Sequence, residues 1–273
     1  ANSLWLNTDY YKSVDFASTF KDTIEKYYQA DSEKVTNADA VKTINDWVDK
    51  KTNGKITKLI EDPDFLAYLV NAIYFKGEWA KQFDEGTTAK AAFTDRNGKE
   101  TELEFMNQTG YFDYYEDGYC QMIRLPYRDG KTSMYVALPA GRDVDLDDGI
   151  ANMKSTRVKL SLPKFKTEFS IKLIDTLKSM GVTAAFDADQ ANFKNMFTAA
   201  PENIFITDVI HKTFINVDEN GTEATAVTGI GMDGASMPTD EPIEFTADKP
   251  FTYFIRDDER GEILFMGEYA YAL

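Results

Sequence analysis

Apolar and polar positions along this chain follow two periods, and the places where the period changes mark its elements. Residues 1–7 alternate, which predicts a strand. Phe16, Phe20, Ile24 and Tyr27 then recur at spacings of four, four and three, the face of a helix. A second helix is expected from Asn37 as its cap, burying Val41, Ile44, Trp47 and Val48 and stopping around Gly54. Residues 65–75 are almost continuously apolar, as in a central strand covered on both faces. Asn71 interrupts that run and needs a partner, since an unpaired buried amide costs about 1–3 kcal/mol.

Several strands are expected between residues 92 and 140, broken by turns at Arg96-Asn-Gly-Lys and Tyr127-Arg-Asp-Gly-Lys. Residues 171–180 read as a helix, with Leu173, Leu177 and Met180 on one face and Gly181 as its stop. Residues 204–217 alternate strongly and put Val209, His211, Thr213, Ile215 and Val217 on one face. Two apolar strands, 251–255 and 263–266, close the chain around a charged turn. There is no internal repeat and no low-complexity tract.

The stretch from 215 to 238 starts as a strand and then changes character. Thr222, Ala224, Ala226, Thr228 and Ile230 form one uncharged alternate face, while Glu223, Thr225, Val227 and Gly229 form the other. Glycines at 221, 229, 231 and 234 keep the backbone permissive. By composition alone such a stretch is a flexible linker between strands. It also has the pattern of an inward-facing strand, and a segment with two possible homes can act as a switch.

Charge narrows the partners. Against 30 basic residues stand 46 acidic ones, a net charge of −16, which repels nucleic-acid phosphates and anionic lipid surfaces. Apolar runs are far short of a membrane span, and no charged-then-apolar leader opens the chain. Cys120 is alone and lies in a strand-like run, so it reads as a buried structural thiol. His211 is the single histidine; it cannot build a multi-histidine metal site, and no motif aligns a serine with it. Residues 143–149 look superficially like a calcium loop, but Asp148 takes the glycine position and Lys154 the closing glutamate position. No metal or cofactor is expected. Asn107-Gln-Thr and Asn220-Gly-Thr are glycosylation sequons, and a glycan on Asn220 would obstruct any insertion of the stretch that follows.

Val217-Asp-Glu-Asn-Gly-Thr-Glu-Ala-Thr-Ala resembles the hinge of an inhibitory serpin. Leu69-Val-Asn-Ala-Ile-Tyr-Phe-Lys-Gly-Glu-Trp79, Leu162-Pro-Lys-Phe, Asp208-Val-Ile-His-Lys, Ala247-Asp-Lys-Pro-Phe251 and Ile263-Leu-Phe-Met-Gly267 resemble further serpin signatures in serpin order. The resemblance spans nearly the whole chain. It implies one α+β domain over 1–273 with a large central mixed sheet, two smaller sheets, surrounding helices and a mobile reactive-centre loop at about 219–242. It also implies that the chain begins at a strand of the main sheet, without the family's N-terminal helices. The helices that serpins carry before Leu162 are expected to be abbreviated within 141–154.

The function implied is inhibition of a serine protease as a suicide substrate. The protease attacks the loop, its serine is acylated, and insertion of the cleaved loop into the central sheet carries it away as a covalent complex. The hinge residues are Glu219, Gly221, Thr222, Glu223, Ala224, Thr225 and Ala226. Family spacing from Glu219 places the scissile bond at Ala235-Ser236, whereas counting back from Pro250 places it nearer Thr239, with Met232 and Met237 as lesser candidates. A small apolar residue there suits an elastase-like or subtilisin-like target and disfavours a trypsin-like one. Asn71 and His211 match a latch between central strands, a place where histidine would make opening pH-sensitive. Lys164 and Glu219 match a pair that ties the hinge to the sheet top near Trp79. The other partner implied is the missing N-terminal segment, and the setting implied is extracellular or cell-surface; because a glycan would block insertion, the Asn220 sequon is expected to be unglycosylated, which a prokaryotic origin would explain. The competing class is a non-inhibitory serpin-shaped binding or storage protein, whose mark would be charge or proline in the hinge.

Overall fold

A computed structural model describes residues 1–139, 146–199, 204–222 and 241–272. In chain order the elements begin with β1 (Asn2–Asn7), α1 (Ser18–Tyr28), β2 (Ala30–Val35), α2 (Asn37–Lys51), β3 (Ala67–Tyr74) and β4 (Gly77–Glu78). There follow β5 (Ala89–Thr94), β6 (Glu100–Glu116), β7 (Gln121–Pro126), β8 (Thr132–Leu138), α3 (Leu146–Ala151), β9 (Lys154–Pro163) and β10 (Phe165–Lys172). The last are α4 (Ile174–Ser179), β11 (Asp208–Asp218), β12 (Gly221–Thr222), β13 (Ile243–Thr246), β14 (Phe251–Asp257) and β15 (Glu262–Tyr269). They fall into two compact units, Ala1–Tyr74 with Glu168–Phe214, and Phe75–Thr167 with Ile215–Leu273. Among the described residues no helix is long and apolar enough to cross a membrane.

In the first unit the strand order is β2-β1-β3-β11. β1 lies parallel to β2 and antiparallel to β3, and β3 runs parallel to β11 from Tyr68↔Asp208 to Tyr74↔Phe214. The apolar run in β3 is explained by layers on both faces. One holds Trp5, Ile44, Val48, Tyr68, Val70 and Phe214; the other holds Leu4, Leu6, Phe16, Phe197 and Ile204, with Leu69 packed against it. Helix α2 supplies Ala40, Ile44 and Val48 to the first layer, four residues apart, while Trp47 is only partly buried and donates from Nε1 to Asp31 at 2.7 Å. The cap of α2 is Thr36, one residue ahead of the expected Asn37.

Two expected helices are shorter than their apolar spacing implies. Phe16 lies ahead of α1, bridged to Phe197, and Tyr27 at the far end is 68% exposed. Ile171 and Lys172 continue β10 and do not start a helix, so α4 begins at Ile174, and Met180 beyond it is exposed. Pairing with β11 competes for these residues, and tertiary pairing overrides a short helical period. Gly181 does end the helix, with φ +97°, a conformation that glycine adopts without strain.

In the second unit β13, β9, β6, β7, β8, β14 and β15 form a continuous path, with β5 beside β6. The smaller sheets expected from sequence run into one another through β6. Its first residues pair with β5, its middle with β9 and its last with β7. Also in this unit, the end of β11 pairs with β12, and β12 pairs with β4. Cys120 is 4% exposed and packs with Met122, Tyr135, Ala137 and Phe254, the structural setting its strand-like surroundings suggested. Helix α3 lies within the stretch expected to hold abbreviated helices.

Candidate functional site

The residues expected to control sheet opening form two clusters, one in each unit. In the first unit the β3–β11 register sets His211 directly opposite Asn71. Asn71 donates from Nδ2 to Asn2 Oδ1 at 2.6 Å, which turns its Oδ1 towards His211 Nδ1, also at 2.6 Å. The ring nitrogen therefore donates, and the neutral imidazole carries its proton on Nδ1. Burial pushes the His211 pKa down. The amide that sequence marked as needing a partner has two, one on each neighbouring strand. Asn2 could not be picked out in advance because its role follows from strand order.

In the second unit the cluster is built around the turn from β11 to β12. Trp79 is buried, and its indole donates to the Asp218 carbonyl at 2.9 Å while its amide donates to the Asn220 carbonyl at 3.0 Å. The Phe83 amide donates to the Glu219 carbonyl at 2.9 Å. Glu219 itself is 5% exposed; its carboxylate accepts from Thr88 Oγ1 at 2.7 Å and lies 3.3 Å from Lys164 Nζ. Lys164 is shared with Glu104, also at 3.3 Å. Burial pushes the Glu219 carboxyl up, but the Thr88 hydroxyl, a backbone N–H and Lys164 more than offset this, leaving it below the ordinary glutamate value.

The next two residues already belong to the sheet. β12 lies between β11 and β4, with Thr222 opposite Val217 on one side and Gly77 on the other. Both Gly221 and Thr222 are buried, Thr222 completely. Thr222 Oγ1 meets the Tyr127 hydroxyl at 2.8 Å. Gly221 has φ +150°, and a Cβ there would come within 2.1 Å of the Gly77 carbonyl oxygen, so only glycine allows this approach. Tyr127 opens an expected turn and Thr88 falls in no expected element; neither carries a local signal, because each meets Thr222 or Glu219 through folding alone. Glu223, Ala224, Thr225, Ala226 and the bond Ala235-Ser236 lie outside the described residues.

A half-buried ion pair and an indole on a strand-end carbonyl thus hold the turn from β11 into β12, a strand that starts between two others. Neither cluster assembles a nucleophile with a base. Comparison with known proteins agrees with the folds of the two units. Residues 1–271 match the family model described as Serpin (serine protease inhibitor), and the chain belongs to that family. The fold is accordingly the α+β serpin fold, and members of this family are in general protease inhibitors and not catalysts.

Its similarity extends to an uncharacterised serpin-like protein of Methanosarcina mazei, 37% identical over 99% of this chain and 66% of the relative. The leukocyte elastase inhibitor of Xenopus laevis is 35% identical over 95% of this chain and 74% of its own length. Among solved structures, the thermophilic serpin tengpin in its native state superposes with a TM-score of 0.85 at 33% identity, covering 100% of this chain and 73% of that one. The chain thus spans about two thirds of the length of the first curated relatives it matches.

Proposed function

We propose that the protein inhibits serine proteases as a suicide substrate, trapping the acylated protease by drawing the cleaved loop into its main sheet. The observation that carries this is the position of β12: the hinge of the candidate loop has already begun a strand, and its first inward residue is uncharged, hydroxyl-bearing and buried. Thr222, Ala224, Ala226, Thr228 and Ile230 would extend that face without placing a charge in the sheet. Neither charge on the inner face nor proline interrupts it, which favours inhibition over passive binding or storage.

Cleavage is proposed at Ala235-Ser236, and a small residue there suits an elastase-like or subtilisin-like protease. The sheet-opening roles of Asn71, His211, Trp79, Lys164 and Glu219, and an extracellular or cell-surface setting, belong to the same proposal. Because the chain spans about two thirds of its relatives, the activity of the whole protein is proposed on the same terms.

Incubation with an elastase-like protease is expected to give an adduct that survives denaturing electrophoresis, with a released fragment beginning at Ser236 by mass spectrometry. Clean cleavage without adduct, where an established inhibitor traps the same enzyme, would refute the proposal. Thr222→Arg is expected to convert inhibitor into substrate, since a guanidinium in that closed position costs several kcal/mol.

A further inference from the structure

The geometry points to Tyr127 as the positioning residue of the hinge, a fixed hydroxyl that seats Thr222 and thereby sets the register in which the loop enters the sheet. This rests on the loop-insertion reading above. Tyr127 is 1% exposed, and its ring has no freedom to search for other partners. It stacks on Trp79 with centroids 4.7 Å apart and an interplanar angle of 11°, and it lies 4.9 Å from the ring of Phe75. Gly77 clears space for it, because a Cβ there would stand 2.8 Å from the Tyr127 ring. The flanking backbone is pinned as well: the Ala80 amide donates to the Pro126 carbonyl at 2.9 Å, the Tyr127 amide to the Thr132 carbonyl at 2.9 Å, and the Arg128 amide to the Glu78 carbonyl at 2.8 Å.

Two buried hydroxyls therefore face one another at 2.8 Å, and among the described residues each is the other's hydrogen-bond partner. Withdrawing Thr222, or removing its hydroxyl, leaves the Tyr127 hydroxyl buried and unsatisfied, the costly half of a hydrogen bond. Burial also pushes the phenol pKa far above its ordinary value, so the seat stays neutral at any physiological pH. A slip of one residue would bring Gly221 or Glu223 to the seat and would turn every following side chain to the opposite face. A hydroxyl at 222 thus satisfies Tyr127 without burying a charge, whereas Gly221 has no side chain to offer and Glu223 would satisfy it only as a buried carboxylate, so this register is the one that would turn the small, uncharged face of the following residues inward.

The test compares wild type with Tyr127→Phe, Thr222→Val, Thr222→Ser and the Tyr127→Phe/Thr222→Val double variant, using amide hydrogen exchange on the uncleaved chain. The Trp79 amide, bonded to the Asn220 carbonyl, reports whether the hinge is seated. Each single hydroxyl deletion is expected to speed its exchange about 5- to 10-fold. Thr222→Ser should leave it unchanged, and the double variant should exceed neither single one. Additive effects, no effect of Tyr127→Phe, or equal acceleration throughout β7 and β8 would overturn the assignment, the last by showing a merely structural tyrosine. A second readout counts inhibitor molecules consumed per protease trapped: Tyr127→Phe should raise that number and Thr222→Ser should not. If wild type forms no adduct, the inhibitory reading fails, while the exchange data still decide whether Tyr127 seats the hinge.

Discussion

Replacing Lys164 by methionine keeps the length of the side chain and removes its charge, which isolates the ion pair with Glu219. In wild type the Glu219 carboxylate is 5% exposed and is held by Lys164 and the Thr88 hydroxyl. Breaking a fully buried pair costs about 3–5 kcal/mol. Lys164 is a third exposed and divides itself between Glu104 and Glu219 at equal distances, so solvent screening and the surviving Thr88 bond reduce this to about 1–2 kcal/mol. For a chain of this size the melting temperature should fall by about 2–6 °C.

The sign of the pH dependence follows from Glu219, whose folded pKa lies below its ordinary value. Such a group stabilises the fold above the unfolded-state pKa, about 4.3, and the contribution is lost as pH falls through the folded value. The melting difference between Lys164→Met and wild type should therefore be full at pH 7 and shrink below pH 4. A difference that is constant across this range, or absent at pH 7, would show that the pair does not hold the hinge.

Asn71→Ala should destabilise the intact chain by about 1–3 kcal/mol, because it strands His211 Nδ1 and the Asn2 amide oxygen at once; thermal melting reads this directly. The depressed pKa of His211 means that its neutral form is the one the fold prefers, so acidification through its unfolded value near 6.5 should lower stability, and His211→Gln should flatten that limb of the melting profile. Gly221→Ala should lower the melting temperature and release the Trp79 amide to exchange, since both its φ of +150° and the Gly77 carbonyl oppose a Cβ. Cys120, 4% exposed, should react with a thiol reagent at least about a hundredfold more slowly in the native chain than in denaturant, and equal rates would contradict its packing.

Much of the fold was legible because its strands carry their environment in their spelling. β3 is apolar on both faces and has a layer on each; the chain turns at residues 96–99 and 127–131 where the glycine-containing turn signals stand. The meeting of Lys164, Glu219 and Trp79 around the β11–β12 turn was legible too, but by resemblance and not by local chemistry. What stayed hidden is what only folding creates. Asn2 meets Asn71 across 69 positions of sequence, Thr88 meets Glu219 across 131, and Tyr127 meets Thr222 across 95. Ile171 and Lys172 misled for the opposite reason, a local helical spacing overruled by a neighbouring strand.

The β3–β11 register fixes the energetic problem that any insertion must solve. Over seven positions, Tyr68↔Asp208 to Tyr74↔Phe214, these strands are direct neighbours, so a new strand between them must first separate a complete ladder. Separation removes one ladder and insertion creates two, a net gain of one, about 4–10 kcal/mol over those positions at roughly 0.5–1.5 kcal/mol per bond. The loss comes first and the gain afterwards, which is a barrier and not merely a difference in stability. Asn71 and His211 sit at the middle pair of that ladder, where they add side-chain bonds to the backbone ones that must break. Strengthening them should slow insertion of the cleaved loop without changing the inserted product, whereas weakening them should speed insertion and make the intact chain less stable. On the proposed mechanism the chain must insert its loop faster than water frees the protease yet stay closed while it waits, and the Asn71–His211 bond would be an adjustable way to meet both demands.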